Sequence, residues 1–149
     1  MRAVVMRVNG AEVTRTGTGE TLGRIGKGFL VLLGVRVGDT EKEADRIADK
    51  ICGLRIFEDA DGKMNINPKD AGAELLIVSQ FTLWADARSR RPGFTDAARP
   101  DTAIPLYERV LEQCRGRGFH VETGEFGADM QVRSVNDGPV TILLDTREL

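Results

Sequence analysis

The chain has 149 residues, of which 41% are hydrophobic and 30% charged, and its mean hydropathy is −0.23. A chain of this length typically forms one domain, and this composition excludes a disordered or fibrous protein. The net charge of −2 argues against a protein that wraps long stretches of nucleic acid, although not against one that grips only a nucleic acid end.

The first part of the chain is predicted to contain three strands. Two of them, 2–8 and 11–15, are predicted to form a hairpin, because the Asn9-Gly10 pair between them favours a two-residue turn. The glycine-rich stretch 16–28 lacks the spacing of a dinucleotide-binding loop, and we expect turns there. The short apolar run 29–35 predicts a buried central strand.

A helix is predicted next, over residues 40–52. Thr40 and Glu43 fit a capping box, and apolar residues then recur at helical spacing. Short strands at 54–57 and 63–66 are predicted to flank a hairpin turn at Asp61-Gly62.

The second half is predicted to contain one buried strand, a loop, a second helix and closing strands. The apolar segment 75–78 places the buried strand at 74–81, followed by a polar, arginine-rich loop over 84–99. The helix is predicted at 101–115, with an apolar stripe along one side. Closing strands are predicted at 120–123, 130–135 and 140–145. Nine strands and two helices in this order predict a single α/β, β-rich domain over 1–149, with a mixed, curled, barrel-like sheet covered by the two helices.

Nothing in the sequence indicates a membrane or secreted protein. No apolar run approaches the ~18 residues that span a bilayer, and the first ten residues lack an extended apolar segment. Cys52 and Cys114 are the only cysteines, in polar, helix-like surroundings, so we expect free thiols in a reducing compartment. We therefore expect a cytoplasmic protein.

The residue inventory excludes several kinds of active site. No spacing of metal ligands is present, so we expect no metal. A Ser-His-Asp triad would need His120, the only histidine, which lies in a strand-like stretch and is more simply a strand residue. The cluster of Arg88, Arg90, Arg91 and Arg99 is, on charge alone, a solvated loop.

Two motifs stand out. Residues 79–83 (SQFTL) leave the buried strand, and polar groups at such a strand end either form a site or satisfy turn backbone. Residues 136–141 (NDGPVT) are rich in turn-forming residues, and their spacing alone favours a hairpin turn between the last two strands.

Together these motifs resemble the D-aminoacyl-tRNA deacylase family, and the likeness covers nearly the whole chain. It includes Arg7-Val8, Gly34, residues 54–57 (LRIF), residues 62–65 (GKMN) and residues 128–131 (ADMQ). Neither motif departs from the family pattern, and Trp84, directly after SQFTL, is bulkier than the residue expected there.

The resemblance implies hydrolysis of the ester that joins a D-amino acid to the terminal adenosine of tRNA, without cofactor. Such an ester is already activated, so positioning, a water and donors for the oxyanion suffice. The 2′-hydroxyl of the adenosine is thought to assist. An older interpretation makes Thr82 the nucleophile, and we rank it second because no base lies near it in sequence. The catalytic residues implied are Ser79, Gln80, Phe81 and Thr82.

The resemblance also implies a homodimer. Gly138-Pro139 would form a cis peptide that reaches into the partner's pocket and excludes L side chains, while glycine passes. Arg7 would support this loop. Further substrate-binding residues implied are Asn136, Met130 and Thr141.

The implied partner is the acceptor end of tRNA, and the arginine cluster becomes a candidate phosphate contact. Two other functions remain open at this point. One is a non-catalytic, dimeric tRNA-end or nucleotide-binding module. The other is a dimeric interaction protein in which the Gly-Pro loop is only an interface element.

Overall fold

The structure is a computed structural model that describes residues 1–149. Its strands are β1 (Arg2–Arg15), β2 (Thr21–Ile25), β3 (Gly28–Gly34), β4 (Phe57–Glu58), β5 (Met64–Ile66), β6 (Glu74–Ser79), β7 (Val121–Thr123) and β8 (Met130–Asp145). Its helices are α1 (Glu41–Gly53) and α2 (Pro100–Gly116), and a 3₁₀ turn spans Phe81–Trp84. Neither helix is long and apolar enough to cross a membrane.

Strand β1 is the spine of the main sheet. One of its edges pairs with β8, and the other pairs first with β3 and then with β2, all antiparallel. The sheet continues from β3 through β6 to β7 by parallel pairing. At Gly23, β2 lies against β7, which curls the sheet towards a barrel. The predicted fold class, a mixed, curled sheet with two helices, is confirmed.

The two helices pack against each other and close the larger part of the core. Helix α1 begins where predicted, because the Thr40 and Glu43 side chains form the capping box. Its residues Ala44, Ile47 and Ile51 are buried, and each large apolar side chain contributes about 1.5–3 kcal/mol by leaving water. Both predicted helices are confirmed to within about two residues, the usual uncertainty of helix ends.

The two cysteines meet where the helices cross. Cys52 and Cys114 are both buried and both free, with their sulfurs 3.6 Å apart. Free thiols were expected, but the prediction of polar surroundings is wrong, because both residues lie on the buried stripes of their helices. The contact with Cys52, together with burial, raises the pKa of the Cys114 thiol.

The predicted hairpin at Asn9-Gly10 is wrong, because β1 continues through it. A two-residue hairpin of this kind needs positive φ at both turn residues, and neither residue has it. The pairing with β8 instead shifts its register between Val8 and Gly10. Strands at both edges of β1 satisfy its backbone along this stretch, so the chain stays extended.

Three further predictions need correction. The hairpin between the last two strands is wrong, because β8 spans Met130–Asp145 as one strand that pairs with the same strand, β1, before and after residues 137–140. The glycine-rich stretch contains β2 as well as turns. The buried strand ends at Ser79, and the chain then enters the 3₁₀ turn. The structure has eight strands rather than the nine predicted, because two pairs of predicted strands each form one strand and β2 was not predicted.

Candidate functional site

The SQFTL motif carries the chain from the core to the surface. Strand β6 is buried from Leu75 to Val78 and ends at Ser79, which lies opposite Leu33 in β3. The Gln80 N–H donates to the Leu33 carbonyl at 2.8 Å, and the 3₁₀ turn follows. The turn therefore begins from a backbone position fixed by the central sheet.

Gly34, at the end of β3, allows the turn to lie this close. A Cβ at this position would be 2.8 Å from the Gln80 carbonyl oxygen and 3.0 Å from Leu83 Cβ. Trp84 closes the turn over the glycine, since its Nε1 donates to the Gly34 carbonyl at 3.0 Å and its side chain is 2% exposed. The bulky residue that departs from the expected pattern is thus part of the floor beneath the turn.

A cavity of about 290 Å³, which we call the site pocket, opens beside the turn. Four of the predicted site residues line it: Ser79, Gln80, Phe81 and Met130. Its other walls are Val78, Val132 and the segment 126–129. The 126–129 wall was not singled out by residue reasoning, although residues 128–131 carry part of the family likeness.

Thr82 faces solvent rather than the site pocket. Its Oγ1 accepts a hydrogen bond from Gln80 Nε2 at 2.5 Å, and no carboxylate or imidazole hydrogen-bonds to it. The backbone N–H groups of Phe81 and Thr82 donate to no acceptor within the protein. The start of the turn therefore presents two free backbone donors beside an exposed aromatic ring.

That ring contacts a second exposed aromatic side chain. Phe81 meets Phe94 edge to face, with centroids 5.2 Å apart. Phe94 belongs to the arginine-rich loop, which closes on itself through reciprocal backbone bonds between Asp86 and Gly93. This contact brings the loop to the mouth of the site pocket, and no local sequence signal indicates it.

The NDGPVT motif forms a protrusion within β8. Met6 pairs with Thr141 and Val8 pairs with Asn136, so Arg7 alone faces the four residues 137–140. We call these residues the 137–140 loop. Its Gly138–Pro139 peptide bond is cis, and Gly138 has a φ of +127°. None of its residues lines the site pocket of the same chain.

Arg7 holds the loop from inside the protein. Its side chain is only about 5% exposed, and its Nη1 donates to the Ile56 carbonyl at 2.7 Å. Its Nε donates to the Asp137 carbonyl at 3.1 Å and lies 3.3 Å from the Asp137 carboxylate. A buried guanidinium with these bonds fixes where the loop leaves the strand.

The predicted site residues thus fall into two groups within one chain. Ser79, Gln80, Phe81 and Met130 line the site pocket, and Thr82 follows them on the solvent side of the turn. Gly138, Pro139, Asn136 and Thr141 belong to the 137–140 loop and its ends in β8, and Arg7 faces this loop from β1. His120 directly precedes β7 with 57% of its side chain exposed, beside Glu74 and Glu122, and is not part of either group. The structure brings no three His, Cys, Asp or Glu side chains together in a metal-binding arrangement.

Comparison with known proteins places the chain in a family. The family model of D-Tyr-tRNA(Tyr) deacylase matches residues 4–145. The chain belongs to this family. A D-aminoacyl-tRNA deacylase of Symbiobacterium thermophilum is 55% identical, over 99% of this chain and 97% of that protein. One of Anaeromyxobacter dehalogenans is 57% identical, over 100% of this chain and 99% of that protein.

Solved structures agree with the fold. A c-Myc DNA unwinding element binding protein superposes with a TM-score of 0.91 at 44% identity, covering 97% of this chain and 98% of that one. A probable eukaryotic D-amino acid tRNA deacylase superposes with a TM-score of 0.82 at 16% identity, covering 96% of this chain and 97% of that one. The second likeness concerns the fold alone.

Proposed function

We propose that the protein hydrolyses the ester bond of D-aminoacyl-tRNA and releases a free D-amino acid and tRNA. The observation that carries this proposal is the start of the 3₁₀ turn, where Phe81 lines the site pocket and the backbone N–H groups of Phe81 and Thr82 donate to no acceptor within the protein. Membership of the deacylase family and the names of the curated relatives support the reaction class.

The two free N–H groups suit the charge that develops in ester hydrolysis. Attack on the ester carbonyl places negative charge on its oxygen, and fixed backbone donors stabilise that charge without reorganising. The Gln80 anchor on Leu33 and the Gly34 floor hold these donors rigidly. The attacking water needs no histidine or metal, because the ester is activated and the adenosine 2′-hydroxyl lies beside it.

Thr82 is not the nucleophile in this mechanism. A threonine hydroxyl needs a neighbouring base to attack an ester, and the Thr82 hydroxyl instead accepts a bond from the Gln80 amide. Thr82 acts through its backbone N–H, while Ser79, Phe81 and Met130 shape the pocket around the aminoacyl-adenosine.

The protein acts as a homodimer in this proposal, and β8 is the surface that supports it. Residues 131–136 are all exposed, and the apolar side chains of Val135 and Leu143 are 62% and 77% exposed. This strand pairs with β1 alone, and a long edge with exposed apolar residues favours pairing with another chain. The partner is a second copy, because the site pocket lacks its own chain's 137–140 loop.

The loop then provides chiral selection in the partner's pocket. Its main-chain carbonyls at Gly138 and Pro139 leave room for the α-hydrogen of a D substrate but not for an L side chain. Glycyl-tRNA passes, since glycine has no side chain on either face. Asn136 and Thr141 hold the ends of the loop against β1. Exclusion by steric conflict gives a larger discrimination than apolar contacts do.

The first experiment incubates the protein with D-Tyr-tRNA, L-Tyr-tRNA and glycyl-tRNA and measures the released amino acid against a protein-free control. We expect rapid release from the D and glycyl esters only. If the D and L esters are equally stable with the protein present, each releasing amino acid only at the protein-free rate, the proposal is contradicted. Sedimentation over a dilution series tests the dimer, and a fully active monomer contradicts the cross-subunit loop.

The alternative is a nucleic-acid-binding module without turnover. It is favoured by the name of the solved relative at 44% identity, which is a DNA-element binding protein. In that case, the same assay shows tRNA binding without release of amino acid. The cytoplasmic location remains a prediction, supported by the proposed substrate.

A further inference from the structure

Three arginines surround the buried indole of Trp84. The guanidinium carbon of Arg2 lies 4.0 Å from the ring centroid, and those of Arg36 and Arg147 each lie 5.1 Å from it. These side chains come from three distant parts of the chain, so only the fold brings them together. Cation–π contact with a fixed ring holds the long side chains in one orientation, unlike arginines on a free loop.

A cleft of about 260 Å³ lies over this group, and we call it the arginine cleft. Arg2, Arg147 and Arg88 line it, with Arg36 at its edge. Three aspartates pair with these arginines: Asp145 with Arg2 and Arg147, Asp86 with Arg88, and Asp96 with Arg36. Glu148 also faces Arg147, so four carboxylates balance these four guanidinium groups, and the excess of positive charge on this surface comes from other arginines of the 84–99 loop.

The ion pairs of the cleft differ in strength: Arg2, Arg88 and Arg147 are held by carboxylates at 2.6–3.0 Å, whereas Arg36 is held loosely. Asp96 is 58% exposed, and the Arg36–Asp96 separation is 4.0 Å, so this pair is weak. Arg90 and Arg91, at the exposed tip of the same loop, form no ion pair and extend the positive surface. A phosphodiester accepts paired hydrogen bonds from a guanidinium group as a carboxylate does. A nucleic acid strand repeats this negative charge from one nucleotide to the next.

The arginine cleft and the site pocket share one element. Phe81, at the start of the 3₁₀ turn, lines the site pocket, and Trp84, at its end, lines the cleft. A 3₁₀ turn rises about 2 Å per residue, so these two residues lie about 6 Å apart along its axis. Arg2, which lines the cleft, also contacts this turn, because its Nη1 donates to the Leu83 carbonyl at 2.9 Å.

We propose that the arginine cleft binds the phosphodiester backbone of the tRNA acceptor strand next to the terminal adenosine. This inference rests on the proposed function and adds to it a second point of contact. The site pocket takes the aminoacyl-adenosine, and the cleft takes the phosphates that follow it. Backbone contacts of this kind position a nucleic acid without reading its sequence.

The test compares a full substrate with a minimal one. The double variant Arg36→Gln/Arg147→Gln removes two of the stacked guanidinium groups and leaves the 3₁₀ turn and Arg2 in place. The control, Arg46→Gln/Arg117→Gln, removes the same charge from two exposed arginines on or beside the helices, away from both the cleft and β8. Both variants are assayed on D-Tyr-tRNA and on the D-tyrosyl ester of adenosine, which has no phosphate.

We expect the cleft variant to raise KM for D-Tyr-tRNA about tenfold. Because two phosphate contacts are lost, the slope of log KM against log salt concentration should fall by about one to two. Its kcat on D-Tyr-tRNA and its hydrolysis of the adenosine ester should stay within twofold of the wild type. The control variant should match the wild type on both substrates. Equal losses on both substrates, or an unchanged KM for the tRNA, overturn the proposal.

Binding of uncharged tRNA, measured in parallel, separates this inference from the proposed function. If the wild type hydrolyses neither ester, the proposed function fails. A weaker and less salt-dependent binding of uncharged tRNA by the cleft variant alone still supports the arginine cleft. Identical binding by the wild type, the cleft variant and the control overturns it.

Discussion

The site pocket rests on the buried core, whereas the 137–140 loop protrudes from an exposed edge strand. The pocket's 3₁₀ turn is anchored to β3 through Leu33 and Gly34, both among the most central residues of the sheet. The loop is anchored mainly by one side chain, Arg7, and its own residues Gly138 and Pro139 are exposed.

This difference separates two tasks. Donors that stabilise a transition state must be placed accurately, and the core supplies that accuracy. A steric filter needs only to occupy space, and it can be carried on a protrusion that enters another subunit. We therefore expect substitutions under the pocket to reduce the rate most, and a loop reoriented through Arg7 to change the ratio of D to L hydrolysis.

Gly34→Ala should give the largest effect. Its Cβ would lie 2.8 Å from the Gln80 carbonyl oxygen and 3.2 Å from Trp84 Cδ1, so the turn must move. A displacement of about 1 Å in a catalytic group can cost about 100-fold in rate, and we expect a loss of that order in D-Tyr-tRNA hydrolysis. Single-turnover rates and thermal unfolding measure the two consequences separately.

Gly53→Ala is the matched control, because an added Cβ there meets no atom within 4 Å. It should retain full activity. A Gly34→Ala protein with normal turnover contradicts the view that the sheet sets the position of the turn.

Gly138→Ala should have the next largest effect. At a φ of +127° an alanine is strained by about 1–3 kcal/mol, and its Cβ would lie 2.9 Å from the Val140 nitrogen. The loop should shift, and D-Tyr-tRNA hydrolysis should fall about tenfold, since 1.4 kcal/mol corresponds to a factor of ten. Gly62→Ala, at a φ of +75° with no atom near its Cβ, controls for backbone strain alone.

Arg7→Gln should change selectivity more than rate. It removes the donors to the Ile56 and Asp137 carbonyls, and the buried Ile56 carbonyl left unpaired costs about 1–3 kcal/mol of stability. The loop then reorients, and hydrolysis of L-Tyr-tRNA should rise above the protein-free background. Arg55→Gln is the control, because this exposed arginine donates only to Asn65.

Unchanged D and L rates in the Arg7→Gln and Gly138→Ala variants would falsify the assignment of chiral selection to the loop. In that case, the D/L choice must be made by residues that line the site pocket itself. The site pocket would then carry out both tasks, the chemistry and the D/L selection.

Local signals in the sequence predict the elements that are decided locally. The capping box at Thr40 and the apolar run of β3 fix their elements because neighbouring residues alone determine them. The hairpins expected at Asn9-Gly10 and at residues 136–139 do not form, because β1 and β8 pair on both sides of each segment and override the local turn propensity. Tertiary pairing of this kind leaves no local pattern.

The candidate site was predictable only through its motifs. The family likeness identified residues 79–83 and 136–141, and the structure shows how each is built. The arginine cleft has no sequence signal, since Arg2, Arg36 and Arg147 are separated by most of the chain. The contact between Phe81 and Phe94 is hidden for the same reason, because it depends on how the 84–99 loop closes.

Thr82→Ala should give the smallest effect and sharpens the description of the pocket. The substitution removes the hydroxyl that accepts from Gln80 Nε2, but it keeps the Thr82 backbone N–H, and both side chains are accessible to water. We expect D-Tyr-tRNA hydrolysis within about tenfold of the wild type, a change of at most about 1.4 kcal/mol in the barrier. Ser79→Ala and Phe81→Ala, which change residues that line the pocket, should lose more. A folded Thr82→Ala protein without turnover, combined with a trapped acyl-threonine in the wild type, would show that the hydroxyl attacks the ester and that the free backbone donors only assist it.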